Sequence, residues 1–258
     1  MKAFILCGGY GTRLDYEGKL KAKPMVRIGF KPILIHLIEI FLSQSIDDFV
    51  LCLGYKSESI INYFLKEQKK NITNIEKKKN KISFNFKINK KIAKINLVFT
   101  GIKTGTGGRI LIANKILKLN EDIIMTYGDG LSDINLNKLI KFHYKKKADV
   151  TLTAVRPKQR YGVLKINKDR INQFDNSNKK IDIYVNGGFF VISKKIIKKI
   201  KNKITYWENE PLNFCIKNKT LFAYKHNGFW KSLDTLKDKN DFNEMIKKNK
   251  KPWIIKKN

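Results

Sequence analysis

Three glycines in four positions follow a short apolar run in Leu6-Cys7-Gly8-Gly9-Tyr10-Gly11-Thr12-Arg13-Leu14. Glycine lets the backbone approach a ligand closely, and successive exposed N–H groups form a nest for an anion. Thr12 adds a hydroxyl and Arg13 a planar positive fork. The stretch is not a Walker loop, because no Gly-Lys-Ser/Thr follows. It is not a dinucleotide motif of the GxGxxG type either, because position 14 is Leu. A tight structural turn would use the same glycines, so the loop alone leaves both readings open. Lys23-Pro24-Met25 follows. Pro24 biases Lys23 toward extended backbone, and an ammonium there is within reach of phosphates held by the loop. In a chain with 48 lysines, that lysine carries little weight alone.

The elements that must position these residues alternate. Residues 2–6 read as a strand and 32–44 as an apolar helix opened by Pro32 in the first helical slot. Residues 48–53 form a buried-type strand and 57–66 a helix with Ile60, Ile61 and Phe64 on one face. A strand over 95–100 leads into a loop over 104–109 and a helix to Leu117. A strand over 122–127 ends at Gly128-Asp129-Gly130, and a helix spans 135–144. Strand–helix alternation predicts an α/β fold. The expected architecture is a Rossmann-like mixed, mostly parallel central sheet with helices on both faces and a small β-rich extension.

Residues 66–94 break the rhythm, with lysines followed by alternating Ile82, Phe84, Phe86 and Ile88. Period two predicts a β-hairpin arm whose apolar face needs a cover, for which a neighbouring subunit is a candidate. Residues 150–258 are richer in strands: 150–154, 161–166, 170–174, 183–192 and 221–224. Helices are expected over 194–203, 207–216 and 237–247. With no long linker and no internal repeat, residues 1–258 read as a single domain.

Composition excludes several classes. At 258 residues and 42% hydrophobic, the chain can bury a core. No apolar run is long enough to span a membrane. Cys7, Cys52 and Cys215 form neither a CxxC pair nor an even set, which fits a reducing cytoplasm. The net charge of +32 first points to nucleic acid. Against that, only six of the basic residues are arginine, the residue suited to bidentate contacts. Lys, Asn and Ile together account for 109 residues and share A/T-rich codons, so coding composition explains the charge. The expected partners are therefore small anions drawn by a positive field, with no nucleic acid and no membrane.

The glycine loop, Lys23-Pro24-Met25 and Lys31-Pro32-Ile33 together resemble the sugar-1-phosphate nucleotidyltransferases. Further segments are similar to the glucose-1-phosphate cytidylyltransferase branch of that family. They are Thr104-Gly105-Thr106-Gly107-Gly108-Arg109, Tyr127-Gly128-Asp129-Gly130-Leu131-Ser132-Asp133 and Val185-Asn186-Gly187-Gly188. Trp207-Glu208-x-Glu210-Pro211-Leu212, His226-x-Gly228-Phe229-Trp230, Asp234-Thr235-Leu236 and Lys251-Pro252-Trp253 complete the set. The resemblance runs nearly end to end. It implies attack of a sugar 1-phosphate on the α-phosphate of CTP or another nucleoside triphosphate, with loss of pyrophosphate, giving CDP-glucose in the cytidylyl case. It also implies a homo-oligomer serving polysaccharide synthesis. The same chemistry on another base or sugar, or a non-catalytic binding module, are the alternatives.

By the same resemblance, Arg13 and Lys23 neutralise the reacting phosphates. Leu6, Cys7, Gly8, Gly9, Tyr10, Gly11, Thr12, Thr104, Arg109 and Gly128 hold the nucleotide, and Asn186 bonds the sugar. Asp129 and Asp234 become ligands of Mg²⁺, which favours a few carboxylates plus substrate oxygens. Read without the family, Asp129 is a turn residue, Asp234 a helix cap, Asn186 a turn residue and Arg109 a surface arginine. Pure positioning and charge stabilisation suit a chain with three histidines and no nucleophile–base pairing.

The chain departs from the family where Glu-Lys-Pro is expected after a Phe. It reads Phe174-Asp175-Asn176-Ser177-Asn178, so Asn176 and Ser177 replace the family's sugar-binding Glu and Lys. Two anionic reactants still need a cation there, and Lys179 and Lys180 lie next along. The Lys179→Ala/Lys180→Ala pair is expected to raise KM for the sugar phosphate alone in steady-state kinetics. A kinetically silent pair would show that no shifted lysine compensates.

Overall fold

The computed structural model describes residues 1–10, 21–157, 163–167, 169–175 and 183–254. In chain order the first elements are β1 (Ala3–Cys7), β2 (Arg27–Ile28), β3 (Lys31–Pro32), α1 (Ile33–Ser43), β4 (Asp48–Leu53) and α2 (Ser57–Asn62). Then come β5 (Ile72–Lys78), β6 (Lys81–Ile88), β7 (Lys91–Phe99), α3 (Thr106–Leu117), β8 (Ile123–Tyr127), β9 (Gly130–Ser132) and α4 (Leu136–Lys145). The second half holds β10 (Val150–Val155), β11 (Val163–Asn167), β12 (Arg170–Asp175) and β13 (Val185–Ile192). It continues with α5 (Lys194–Ile197), α6 (Glu210–Lys217), β14 (Leu221–His226), β15 (Trp230–Ser232) and α7 (Leu236–Lys247).

Among the described residues, nine strands form one sheet in the order β14-β10-β13-β8-β1-β4-β7-β6-β5. The central strands β8, β1, β4 and β7 are mutually parallel. Beyond them β13 and β6 run the other way, while β10 and β14 return to the central direction. The sheet is thus mixed with a parallel centre. Strand alternation divides β1 between two cores. Ala3, Ile5 and Cys7 face a core closed by α1, α4 and α7, through residues such as Leu37, Leu139 and Phe242. Phe4 and Leu6 face the other, closed by α3, α5 and α6 through Ile110, Ile196 and Cys215. A strand buried on both faces reads as a continuous apolar run, which is why β1 and β4 do.

The hairpin expected over 66–94 forms, but it lies at the edge of the sheet rather than projecting as an arm. Antiparallel pairing of β5 with β6 and of β6 with β7 extends the sheet at one edge. Its alternating face is covered by the chain's own Phe64, whose ring lies 5.3 Å from Phe84 and 5.2 Å from Phe86. On the pair Ser83 and Asn96, the hydroxyl donates to the amide oxygen at 2.9 Å, and Asn96 donates in turn to Asp48 and to the Phe49 carbonyl. Buried polar side chains at this edge therefore have partners.

Several local boundaries differ from the sequence pattern. Pro32 pairs in β3 and caps α1 from outside rather than occupying its first turn. The helix expected over 194–203 stops at Ile197, with its apolar Ile196, Ile197 and Ile200 buried all the same. In α3 the helix begins at Thr106, so Arg109 sits in its first turn and not in a loop. The segment over 57–66 continues from α2 into a π-helical turn at Tyr63–Glu67.

Phe64 is fully buried between α2 and the β6–β7 edge. Phe64→Ala is expected to cost about 3–5 kcal/mol of stability. Urea unfolding followed by circular dichroism checks this, and a loss under about 1 kcal/mol would mean the edge strands carry no load.

Candidate active site

A cleft of about 1010 Å³ opens beyond the carboxyl ends of the parallel strands. Ligands of open α/β sheets bind at that edge because loops and helix starts converge there. Leu6, Cys7, Gly8, Gly9 and Tyr10 line it, together with Thr104, Arg109, Gly128 and Asn186. Lys23, Asp129 and Asp234 line it too. Gly11, Thr12 and Arg13 lie outside the described residues, as do Asn176, Ser177, Lys179 and Lys180.

The centre of the cleft is a charge triad. The Lys23 ammonium lies 2.7 Å from Asp129 Oδ2 and 2.7 Å from Asp234 Oδ1. Lys23 opens a one-turn 3₁₀ helix whose Pro24 and Met25 are buried, which presents the lysine stem to the cleft. Asp129 follows β8, as the sequence predicts. Asp234 reaches it because β15 pairs antiparallel with β9, with Ser232 opposite Gly130. The Leu233 N–H donates to the Asp129 carbonyl at 2.8 Å and locks that register. Ser232 donates to Asp234 Oδ2 at 2.6 Å. The helix-cap reading of Asp234 does not hold. Thr235 caps α7, in a reciprocal capping box with Asp238. Burial pulls the Lys23 pKa down, but Asp129 and Asp234 outweigh it and leave the pKa above the ordinary lysine value.

Other expected residues are placed differently. Arg109 is 4% exposed, which rules out the surface-arginine reading. Its guanidinium donates to the carbonyls of Gly8 at 2.9 Å and Gly101 at 2.8 Å, among others. Thr104 spends its hydroxyl on the Thr100 carbonyl at 2.7 Å. Asn186 sits at the start of β13, and its side-chain oxygen accepts from Gly188 N–H at 2.8 Å. The three cysteines are buried free thiols. Burial raises the pKa of Cys52 to about 12 and that of Cys7 well above its usual value, so neither is a ready nucleophile.

Sequence reasoning assigned no role to Glu208, although the Trp-Glu motif that contains it was visible. Its carboxylate accepts from Tyr127 Oη and, at 2.6 Å, from Thr106 Oγ1. Burial, then the Glu208 charge, push the Tyr127 pKa far above the phenol range. Trp230 also lines the cleft, and its indole N–H donates to the Gly187 carbonyl at 2.7 Å. That bond ties the β9–β15 ribbon to β13.

Among the described residues no group of three or more His, Cys, Asp or Glu side chains could hold a metal ion. Asp129 and Asp234 do converge on one cation, the Lys23 ammonium. Two hard oxygen donors of that kind fit a divalent ion whose remaining ligands come from substrate and water.

Fold and cleft define an α/β protein with paired carboxylates and a lysine in a cleft at the carboxyl edge of a parallel sheet. Residues 2–244 match the family model described as "Nucleotidyl transferase", and the chain belongs to that family. It is 38% identical over 257 residues to the glucose-1-phosphate cytidylyltransferase of Salmonella typhimurium, covering 98% of each chain. It is 37% identical to the probable glucose-1-phosphate cytidylyltransferase of Bacillus subtilis, covering 99% of this chain and 100% of that one. Among solved structures, HddC from Yersinia pseudotuberculosis complexed with GMP-PN is similar at a TM-score of 0.69 and 25% identity, over 95% of this chain and 99% of that one.

Removing Lys23 leaves two carboxylates facing each other without their cation. Lys23→Met is expected to lower Tm, and adding Asp234→Asn to restore much of the loss. Because the folded-state pKa of Lys23 is raised, its stabilising effect holds at neutral pH. It fades only as pH climbs past the ordinary lysine value of about 10.4. Differential scanning fluorimetry of the two variants from pH 7 upward checks both points, and a double variant no better than Lys23→Met would refute the pairing.

Proposed function

We propose that the protein condenses CTP with α-D-glucose 1-phosphate to CDP-glucose and pyrophosphate, for deoxysugar and surface-polysaccharide synthesis. The observation that carries this reading is the 38% identity to the Salmonella typhimurium enzyme over 98% of both chains. The central triad of the cleft supports it, since an in-line exchange between two anions needs charges that position and neutralise. An oxygen of the sugar phosphate attacks the α-phosphorus. The bond to the β-phosphate oxygen breaks, and pyrophosphate leaves with that electron pair.

In this reading residues 1–258 work as one catalytic domain, in the cytoplasm and as a homo-oligomer. Lys23 and Arg13 neutralise the phosphates. Leu6 to Thr12, Thr104, Arg109 and Gly128 build the nucleotide side, and Asn186 serves the sugar. Asp129 and Asp234 would hold Mg²⁺, which supplies charge neutralisation on the phosphate oxygens when bound. Lys23 contacts both of those carboxylates, and in this reading its ammonium neutralises phosphate oxygens brought beside them. Asn176 and Ser177 bear on which sugar is accepted.

Crossing four or five triphosphates with a panel of sugar 1-phosphates in a pyrophosphate-release assay tests the proposal. CTP with glucose 1-phosphate is the expected best pair, and a clear preference for another pair would replace it. Asp129→Asn and Asp234→Asn should each lower kcat by at least about 10²-fold while keeping the fold, in line with loss of a main electrostatic stabiliser. EDTA should do the same to the parent chain. Full activity in EDTA or in either variant would remove the metal from the mechanism.

A further inference from the structure

Asp133 and the segment His226-x-Gly228-Phe229 meet at the end of the β9–β15 ribbon that lies away from Asp129 and Asp234. The Phe229 N–H donates to Asp133 Oδ1 at 2.7 Å, and the Asp133 N–H donates to the Phe229 carbonyl at 3.2 Å. Nε2 of His226 lies 2.9 Å from the same Asp133 Oδ1, 3.2 Å from Ser132 Oγ and 3.3 Å from the Phe229 carbonyl oxygen. A carboxylate and a carbonyl only accept, so Nε2 carries a hydrogen and donates it.

Ser132, His226 and Asp133 are the residue types of a hydrolytic triad, but the geometry is not that of one. A base relay needs serine and carboxylate on opposite ring nitrogens, and here both face Nε2. Ser132 is fully buried and donates its hydroxyl to the Phe229 carbonyl at 2.8 Å. The cluster therefore holds chain together rather than attacking a bond.

What it holds is short. β9 and β15 pair over three residues, with Trp230 opposite Ser132 and Ser232 opposite Gly130. A two-stranded ribbon is marginal alone, and a slip by one residue turns every side chain to the other face. The Leu233 bond to the Asp129 carbonyl fixes one end. His226 ends β14 and sits opposite Val155 in the main sheet, so its bond to Asp133 ties the other end to that sheet. Gly228 is shaped by this contact. A Cβ there would lie 2.3 Å from Asp133 Oδ1 and 2.7 Å from His226 Cε1.

We propose that Asp133 and His226 are positioning residues, whose latch fixes the register of the β9–β15 ribbon and so delivers Asp234 to Lys23 and Asp129. Neither residue lines the cleft. Roughly 13 Å of extended chain separate Asp133 from Asp129, so the latch acts through the ribbon. It needs an acceptor at position 133 and a donor at position 226, not a charge. The activity it serves is the one proposed above; the latch itself rests on the contacts alone.

Asp133→Ala should lower kcat on the order of a hundredfold, as when a reacting group shifts by about 1 Å, with KM for CTP within a fewfold of the parent. Asp133→Asn keeps the acceptor and should stay within a fewfold of the parent kcat, whereas a carboxylate acting by its charge would fail in that variant too. His226→Gln retains an N–H donor and should keep more of kcat than His226→Ala. Tm gives a readout without substrate. Lys23→Met should cost the Asp133→Ala chain clearly less Tm than it costs the parent, because Asp234 no longer meets the lysine there. If Asp133→Ala does not fold, His226→Ala takes its place in both measurements. Additive Tm losses, native kcat in the alanine variants, or a conservative variant no better than its alanine counterpart would each overturn the latch. A parent chain that releases no pyrophosphate with any pair of substrates overturns the functional reading instead, and the Tm cycle still judges the latch.

Discussion

The ion triad of Lys23 with Asp129 and Asp234 is the contact on which the architecture of the cleft turns. It joins three segments that are distant in sequence, and each needs a different part of the fold to arrive. Asp129 comes from the parallel centre, Lys23 from the 3₁₀ turn behind β1, and Asp234 from the ribbon of β9 and β15. Two carboxylates held this close repel each other unless a cation lies between them. The ribbon register, the Leu233 bond to Asp129 and the capping box of α7 hold the carboxylates in place. Lys23 supplies the charge.

The large positive charge of the chain leaves this balance intact because it sits elsewhere. Among the described residues many lysines are exposed, such as Lys77 and Lys78 in β5 and Lys237 and Lys247 in α7. The cleft itself mixes signs: Lys23 and Arg109 stand against Asp129, Asp234 and Glu208. A diffuse field concentrates anions near the protein, while a few placed charges govern where they rest. The two arginine and lysine sites differ in kind. Lys23 faces carboxylates and keeps its ammonium at the cleft, whereas Arg109 turns its whole fork into the backbone.

Burial on both faces explains why the sheet was easy to read and its edges were not. The runs in β1, β4 and β8 are apolar apart from Asp48, Thr126 and the Tyr127 hydroxyl, since helices cover both sides. At the β5–β7 edge the alternation of β6 signalled a strand with one covered face, but nothing local named the cover. Phe64 supplies it from the turn after α2. An apolar stripe is specified locally, while its partner is chosen by the path of the chain.

The sequence by itself determined the α/β alternation, the glycine floor after β1 and the placement of Asp129 at a strand end. These follow from periodicity and from residue types whose conformational limits are local. Family likeness also singled out Lys23, Arg109 and Asp234 without saying how they meet. Only the tertiary structure decided that Asp234 and Asp129 share one ammonium, that Arg109 is buried under Gly8 rather than exposed, and that Glu208 is pinned by Tyr127 and Thr106. The reason is physical. Ion pairs and buried hydrogen bonds between distant segments depend on sheet order and strand register, and neither is written in any short stretch of residues.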